Sequence, residues 1–452
     1  RVPRRAAAFD WNDEKFLRLR LAGKATDERS VVGRMFPRSR CAEHEFARLV
    51  SRWFRQKTSH HSDFVTAERI KLKDFSLNAR HTCLAQPWFA SLEDGAARQG
   101  DINPGAPLAP ELAAWLGKSS DCTSFTVLED LGVRVGQGLR TGANLFFYAD
   151  KVGEKGSNQI LAPAPIFGIS HIQVPKKSVQ AVLRKQTELP DGYKVEATSL
   201  KGRVLALQKY ALPEDIKRCG AHRNTRGSYR PMADGLAKLV RVAATTTVGD
   251  SHDRRKIPEL SAVAPNVRSA DPSDPKSNPR FWYMLPNFAP RHRPDLLVAR
   301  VNHGHPKTFL NAKRAALVDA NFVTIWAEKG AHVNSEALLA LFNSSWCHAS
   351  LELIATVMGG GALKVEATYI RRLPLPVLNT TQWERLSCLG KKLVDVSPKK
   401  AQDVLRAINQ VVVEALVGKA NLDKKLEELR VIAQRRLQAR SGKRHDTSQS
   451  VV

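Results

Sequence analysis

Three glycines, Gly136, Gly138 and Gly142, fall within seven residues of one another in "VRVGQGLRTGANLFFYAD" (133–150), after the β-branched Val133 and Val135. Glycines spaced GxGxxG between a strand and a helix hold a dinucleotide pyrophosphate. The backbone approaches the anion closely and the helix N-terminus aims its N–H groups at it. Here the third glycine comes one residue late, and Phe146, Phe147 and Tyr148 favour a strand over a helix. The stretch predicts a strand, a tight glycine loop and a second strand. Such a loop brings backbone N–H groups, Arg140, Thr141 and Asn144 close to whatever lies above it.

Other self-contained chemistry is thin. No GxxxxGK[ST] phosphate loop, HExxH, GxSxG elbow or DxDxDG calcium loop occurs. His303 and His305 in "VNHGHPK" share a strand face without a third ligand, and His60-His61 in "KTSHHSDF" reads as a polar loop pair, so no metal site is expected. The six cysteines lie far apart, with no CxxC pair, as free thiols of a reducing cytoplasm would.

Charge is the most informative total. Lys and Arg number 71 against 44 Asp and Glu, a net +27 spread through the 452 residues. A polyanion partner follows naturally, since each neutralised phosphate releases condensed counterions. A merely solvated basic surface is the bland reading. No apolar run reaches the ~20 residues that cross a bilayer. The start, "RVPRRAAAFDW", lacks the apolar core of a secretory signal. It has no initiator methionine either, as expected of the later part of a longer protein.

The elements follow from periodicity. "EHEFARLVSRWFRQ" (43–56) sets Phe46, Leu49, Val50, Trp53 and Phe54 on one helical face, and 94–110 reads as a Gly, Pro and Ala-rich loop. Beyond Thr123 come strand-like pieces: "SFTVLEDLGVRVGQG", "NLFFYAD", "YKVEATSL" and "GRVLALQKY". Residues 219–280 read as loop-rich, followed by strand candidates "RFWYMLP", "PDLLVARVN" and "ANFVTIWAE". From Ser335, a candidate N-cap, the pattern turns helical, with a bend at Asn343-Ser344-Ser345. Gly359-Gly360-Gly361 is either a helix stop or a loop facing a ligand. Thr381 and Glu384 form a candidate capping box, Ser397-Pro398 restarts a helix, Asn421 begins the last one, and 436–452 reads as disordered.

These pieces carry a resemblance. "VRVGQGLRTGANLFFYAD" is similar to the segment, of the form v-GirTGaN--F, that opens the DNA-recognition region of adenine-N6 DNA methyltransferases of restriction-modification and related phage-defence systems. "RFWYMLPNFAPRHRPDLLVAR", "ANFVTIWAE", "ALLALFNSSW" and "GGGALKVEATYIRRLPLP" follow in that family's order, so the resemblance covers about 120–380. The family's Asn-Pro-Pro-aromatic tetrapeptide, which grips the flipped adenine, does not occur; "INPGAP" at 102–107 lacks the second proline and the aromatic ring. The glycine-rich turn for S-adenosylmethionine is missing too. The resemblance thus implies the recognition half, with S-adenosylmethionine chemistry supplied by a catalytic half that is truncated away, lost or on another chain. By itself this chain is expected to be inactive and to bind no cofactor.

The resulting expectation is an α+β chain of a prokaryotic cytoplasm. Residues 1–120 would be a remnant of the end of the catalytic region, with "AQPWFAS" near the junction, 121–378 an irregular mixed-sheet recognition domain, and 379–435 helices that brace it or dock a partner. Expected partners are double-stranded DNA and a methyltransferase catalytic domain or subunit. Phosphates would fix the register and a few side chains would read base edges. Arg280, Arg291, Arg293, Arg300, Lys307, Lys313 and Arg314 crowd 280–314 against one acid, Asp295. From these, Arg280, Arg291, Arg293 and Lys307 are candidate DNA-binding residues. Arg140, Thr141 and Asn144 form a second group and Lys364, Arg371 and Arg372 a third. Three other readings stay open: a stand-alone specificity subunit, a nucleotide-dependent enzyme using Gly136–Gly142, and a non-specific or RNA-binding scaffold.

Overall fold

The computed structural model describes strands at 15–21, 60–61 and 65–71, and then residues 108–117, 125–218, 229–250, 253–269, 273 and 278–441. The chain divides into two compact units, Arg1–Pro104 and Gly105–Val452. In the first, "KFLRLRL" alternates apolar and basic residues at the strand period. It pairs antiparallel with Val65–Lys71, from Lys15↔Lys71 to Leu21↔Val65. His60-His61, expected in a loop, pairs as a short strand along the other edge of Val65–Lys71. The helix expected over 43–56 and the "AQPWFAS" and "INPGAP" stretches lie outside the described residues, as do Cys41, Cys83, Cys122 and Cys219.

The second unit begins with helix α1 (Pro110–Leu116) and is built on two sheets. The five-stranded sheet runs in the order Lys194–Val195, Thr308–Asn311, Leu296–Ala299, Phe322–Ala327, Val133–Gln137. Leu296–Ala299 is buried along its whole length, as a central strand covered on both faces must be, so its apolar run shows no alternation. The six-stranded sheet runs Leu317–Val318, Val179–Leu183, Gly202–Leu205, Tyr148–Lys155, Asn158–Ala162, Ile172–Pro175. The chain from 308 to 327 stitches the two together, entering the first sheet, then the second, then the first again. A small core of Leu183, Leu297, Phe309, Val318 and Phe322 fills the seam.

Helix α2 (Asp234–Thr245) covers the six-stranded sheet with Leu236, Leu239, Val240 and Ala243. It corrects the reading of 219–280 as loop-rich. Those four residues have the i, i+3, i+4, i+7 spacing of a buried helical face, and the polar stretches on either side masked it.

The longer helices that follow are α3 (Ser335–Phe342), α4 (Ser345–Ile354), α5 (Thr380–Asp395), α6 (Ala401–Val417) and α7 (Leu422–Ser441). They share one core with the five-stranded sheet, so Leu386, Leu393, Val412 and Leu429 pack with Leu338 and Trp346. Helix α3 is buried all round from Ala337 to Phe342, since the sheet lies on one side and α5 on the other. A Cβ on Gly390 of α5 would stand 1.9 Å from the Glu336 carbonyl, so only glycine permits this approach. Trp346 stacks on Phe125 at 5.6 Å between ring centroids and donates Nε1–H to the Pro374 carbonyl at 2.6 Å. Helix α1 joins this core too, Trp115 Nε1–H reaching the Lys425 carbonyl of α7 at 3.0 Å. That contact places it with the second unit and not with an N-terminal remnant.

The α+β class holds, with local corrections. Asn144–Phe147 forms one helical turn before the strand at Tyr148. "RFWYMLP" is not a strand; Arg280 makes an isolated bridge to Arg268 and the rest turns. Tyr283 is nevertheless fully buried, its hydroxyl donating to Asp215 at 2.8 Å and accepting the Leu212 N–H at 3.1 Å. The caps shift by one or two residues. Asn334, not Ser335, caps α3, and Asn379 with Gln382 forms the box expected of Thr381 and Glu384. The bend at 343–345 is there, with Ser344 capping α4. Helix α7 continues past residue 435 to Ser441, because Arg440 is held by the core, as described below. Among the described residues no helix is long and apolar enough to cross a membrane.

Candidate nucleic-acid interface

The glycine stretch is explained by the protein's own backbone. A Cβ on Gly138 would meet the Asp319 and Val318 carbonyls at 2.3 and 2.4 Å, where Leu139 bridges Asp319 across the two sheets. Gly142 has φ +78° and its Cβ would stand 2.2 Å from the Ala262 carbonyl. Close chain-to-chain approach thus uses the freedom that a phosphate loop would need. Thr141 is 2% exposed and donates to Asn144 Oδ1 at 2.6 Å, so the two residues close the turn on each other. Asn144 itself is exposed.

The edge strand Val133–Gln137 gathers three of the expected residues. Arg140 is exposed and donates to Gln137. Arg291 is exposed on the turn Pro290–His292, and its Cβ would lie 3.7 Å from a Cβ on Gly136. Arg371, exposed at the end of a short helix, donates to the Val135 carbonyl at 2.7 and 3.2 Å. Trp326 flanks Gly136 on the same face. This edge therefore presents several guanidinium groups around one strand, on a rigid backbone. Arg372, half-buried, follows as the cap of that short helix.

Other expected residues are committed internally. Arg280 donates to the Asn266 and Pro265 carbonyls at 2.5 and 2.8 Å, and burial with Arg268 nearby lowers its pKa. Arg293 bonds Gln180, tying its turn to the six-stranded sheet. Lys307 bonds the Asp191 carbonyl and lies 4.2 Å above the Tyr193 ring, with its pKa lowered by burial. The lone acid of that stretch, Asp295, is buried and bidentate with Arg314 at 2.6 and 2.5 Å, cancelling one cation the linear count had included.

The third expected group parts company. Lys364 lies away from Arg371, in an open cleft of about 320 Å³ lined by Lys185, Gln186, Arg300, Asn321 and Met358. Lys185 and Asn321 carry no signal in the sequence, since only the meeting of two sheets brings them to Arg300. The glycine run is no helix stop: α4 ends at Ile354, and Gly359–Gly361 turns a hairpin between Thr356–Val357 and Leu363–Lys364. His305 bonds Glu352 at 3.0 Å and stacks on His348. Among the described residues no group of three or more His, Cys, Asp or Glu is placed to hold a metal ion.

Residues 277–413 match the family model described as Type II methyltransferase M.Eco57I, C-terminal domain. This bears out the resemblance to a C-terminal part of a restriction-modification methyltransferase. Among solved structures the chain is similar to the Type IIL restriction-modification enzyme MmeI in complex with DNA, at 11% identity and a TM-score of 0.37. That match covers 70% of this chain and 37% of the other, so this chain spans little more than a third of that enzyme's length. No curated protein matches the sequence.

Proposed function

We propose that the second unit reads a double-stranded DNA site on behalf of an S-adenosylmethionine-dependent adenine-N6 methyltransferase whose catalytic part is not contained in the two units described. The match of 277–413 to a methyltransferase C-terminal domain carries this reading. The net charge of +27 and the guanidinium groups around Val133–Gln137 support it. Arg140, Arg291 and Asn144 are exposed and Lys364 is half-buried at its cleft, which supports phosphate contacts by these residues. The setting is a prokaryotic cytoplasm, and the implied phage defence would need the catalytic partner.

The test is selection from a random duplex pool at moderate salt, followed by sequencing of the retained fraction. One enriched motif, with affinity falling as salt rises, is the expected result. Retention without an enriched motif would reduce the protein to a non-specific scaffold.

A further inference from the structure

The cleft at Lys364 has a makeup that the edge strand lacks: cations from three separate segments line it, and two of them share one carboxylate. Arg300 Nη2 and Lys364 Nζ both contact Glu366 Oε1, at 3.1 and 2.7 Å. Lys185 comes from the turn after Val179–Leu183, and among the described residues no carboxylate pairs with its ammonium. The backbone beneath is fixed. Arg300 N–H donates to the Asn321 carbonyl at 3.0 Å, Val365 N–H to the Arg300 carbonyl at 2.8 Å, and Gln186 Nε2 spans to the Val301 carbonyl at 2.7 Å. Met358, 42% exposed on the glycine hairpin, supplies an apolar wall.

We infer that this cleft seats a backbone phosphate of duplex DNA between Lys185, Arg300 and Lys364, and that Glu366 is the counter-charge which the phosphate displaces. The inference rests on the duplex-binding reading above. Its physical ground is an imbalance. The Arg300–Glu366 and Lys364–Glu366 pairs are about one-third exposed, and pairs so open to solvent contribute little to stability. A phosphate offers more acceptor oxygens than the single Oε1 the two cations now share, and it releases counterions on binding. The apolar wall at Met358 would take the adjoining deoxyribose. Both basic partners also lower the Glu366 pKa, against its partial burial.

The experiment titrates the full chain with a fluorescent duplex over a range of salt, comparing wild type with Lys185→Gln, Arg300→Gln and Glu366→Gln. Lys185→Gln breaks no described ion pair, so it reports binding apart from folding. Roughly tenfold weaker binding is expected for Lys185→Gln and Arg300→Gln, with the slope of log K against log salt about 0.9 shallower for each. Glu366→Gln is expected to bind several-fold tighter with an unchanged melting temperature. If the cleft variants match wild type while Arg140→Gln and Arg291→Gln flatten the slope, this inference is overturned and the duplex-binding reading stands. If wild type binds no duplex, that reading fails first. If wild type prefers a single strand of the same sequence and Lys185→Gln abolishes it, the commitment to duplex is overturned.

Discussion

Arg440, in the last turn of α7, forms a bidentate pair with Glu352 of α4, Nε to Oε2 at 2.8 Å and Nη2 to Oε1 at 2.9 Å, with side chains only 3% and 0% exposed. The same guanidinium donates to the Gly361 and Gly304 carbonyls at 2.7 and 2.8 Å and, more weakly, to those of Asn302 and His303. One side chain thus holds the end of the last described helix, the hairpin beside the basic cleft and the "NHG" loop. Burial alone would raise the Glu352 pKa, but the bonds and charges of His305 and Arg440 hold it down.

Arg440→Ala is expected to cost about 3–5 kcal/mol, because it strands a buried carboxylate and leaves four carbonyls short of a donor. Urea unfolding at neutral pH measures it. Arg440→Ala combined with Glu352→Gln should recover part of the loss. If the single variant lost less than about 1 kcal/mol, the lock would be no stronger than a surface pair.

Acid should weaken the fold. Burial and the charge of His305 pull His348 down to about 3, against the opposing charge of Glu352. Burial and Arg291 pull His292 down to about 4. A histidine held below its ordinary value binds its proton more readily in the unfolded chain. Its contribution is therefore complete above about pH 6.5 and is lost on acidification, by about 1.4 kcal/mol per pH unit per group until the folded value is reached. Glu352, with a lowered pKa, acts in the same direction at lower pH. Melting temperatures measured from neutral pH down to about pH 5 should fall, and His348→Gln should remove close to one proton from the slope. An unchanged slope in that variant would assign the effect elsewhere.

Gly138→Ala and Gly142→Ala test whether the glycine stretch is structural. Each Cβ would stand under 2.5 Å from a backbone carbonyl, and Gly142 is also left-handed, so losses of about 1–3 kcal/mol or more are expected. Thermal unfolding without any ligand reveals them. Full stability together with lost nucleotide binding would revive the nucleotide-enzyme alternative.

Arginines of one stretch should separate by role. Arg280→Gln removes donors from the Asn266 and Pro265 carbonyls and should lower stability. Arg291→Gln, exposed over Gly136, should leave stability within about 0.5 kcal/mol and flatten the salt dependence of duplex binding. Paired melting and binding curves decide, and a reversed pattern would move the interface to the Arg268–Arg280 bridge.

The fold class, the helices after Ser335 and the strands at 133–137, 296–299 and 322–327 were legible in the sequence, since period and turn residues are local properties. The order of motifs was legible too, and it carries the methyltransferase resemblance. What the glycines serve was not: Gly138 and Gly142 look alike whether a phosphate or a carbonyl lies above them, and only the tertiary fold puts Asp319 and Ala262 there. Nor could a count of cations show that Arg314 is cancelled by Asp295, that Arg280 is spent on carbonyls, or that Lys185 meets Arg300 and Lys364. Charge is a sum along the chain and belongs to the sequence. Which charges face water is a matter of pairing between distant segments, and that was decided only when the sheets and the last helix closed on each other.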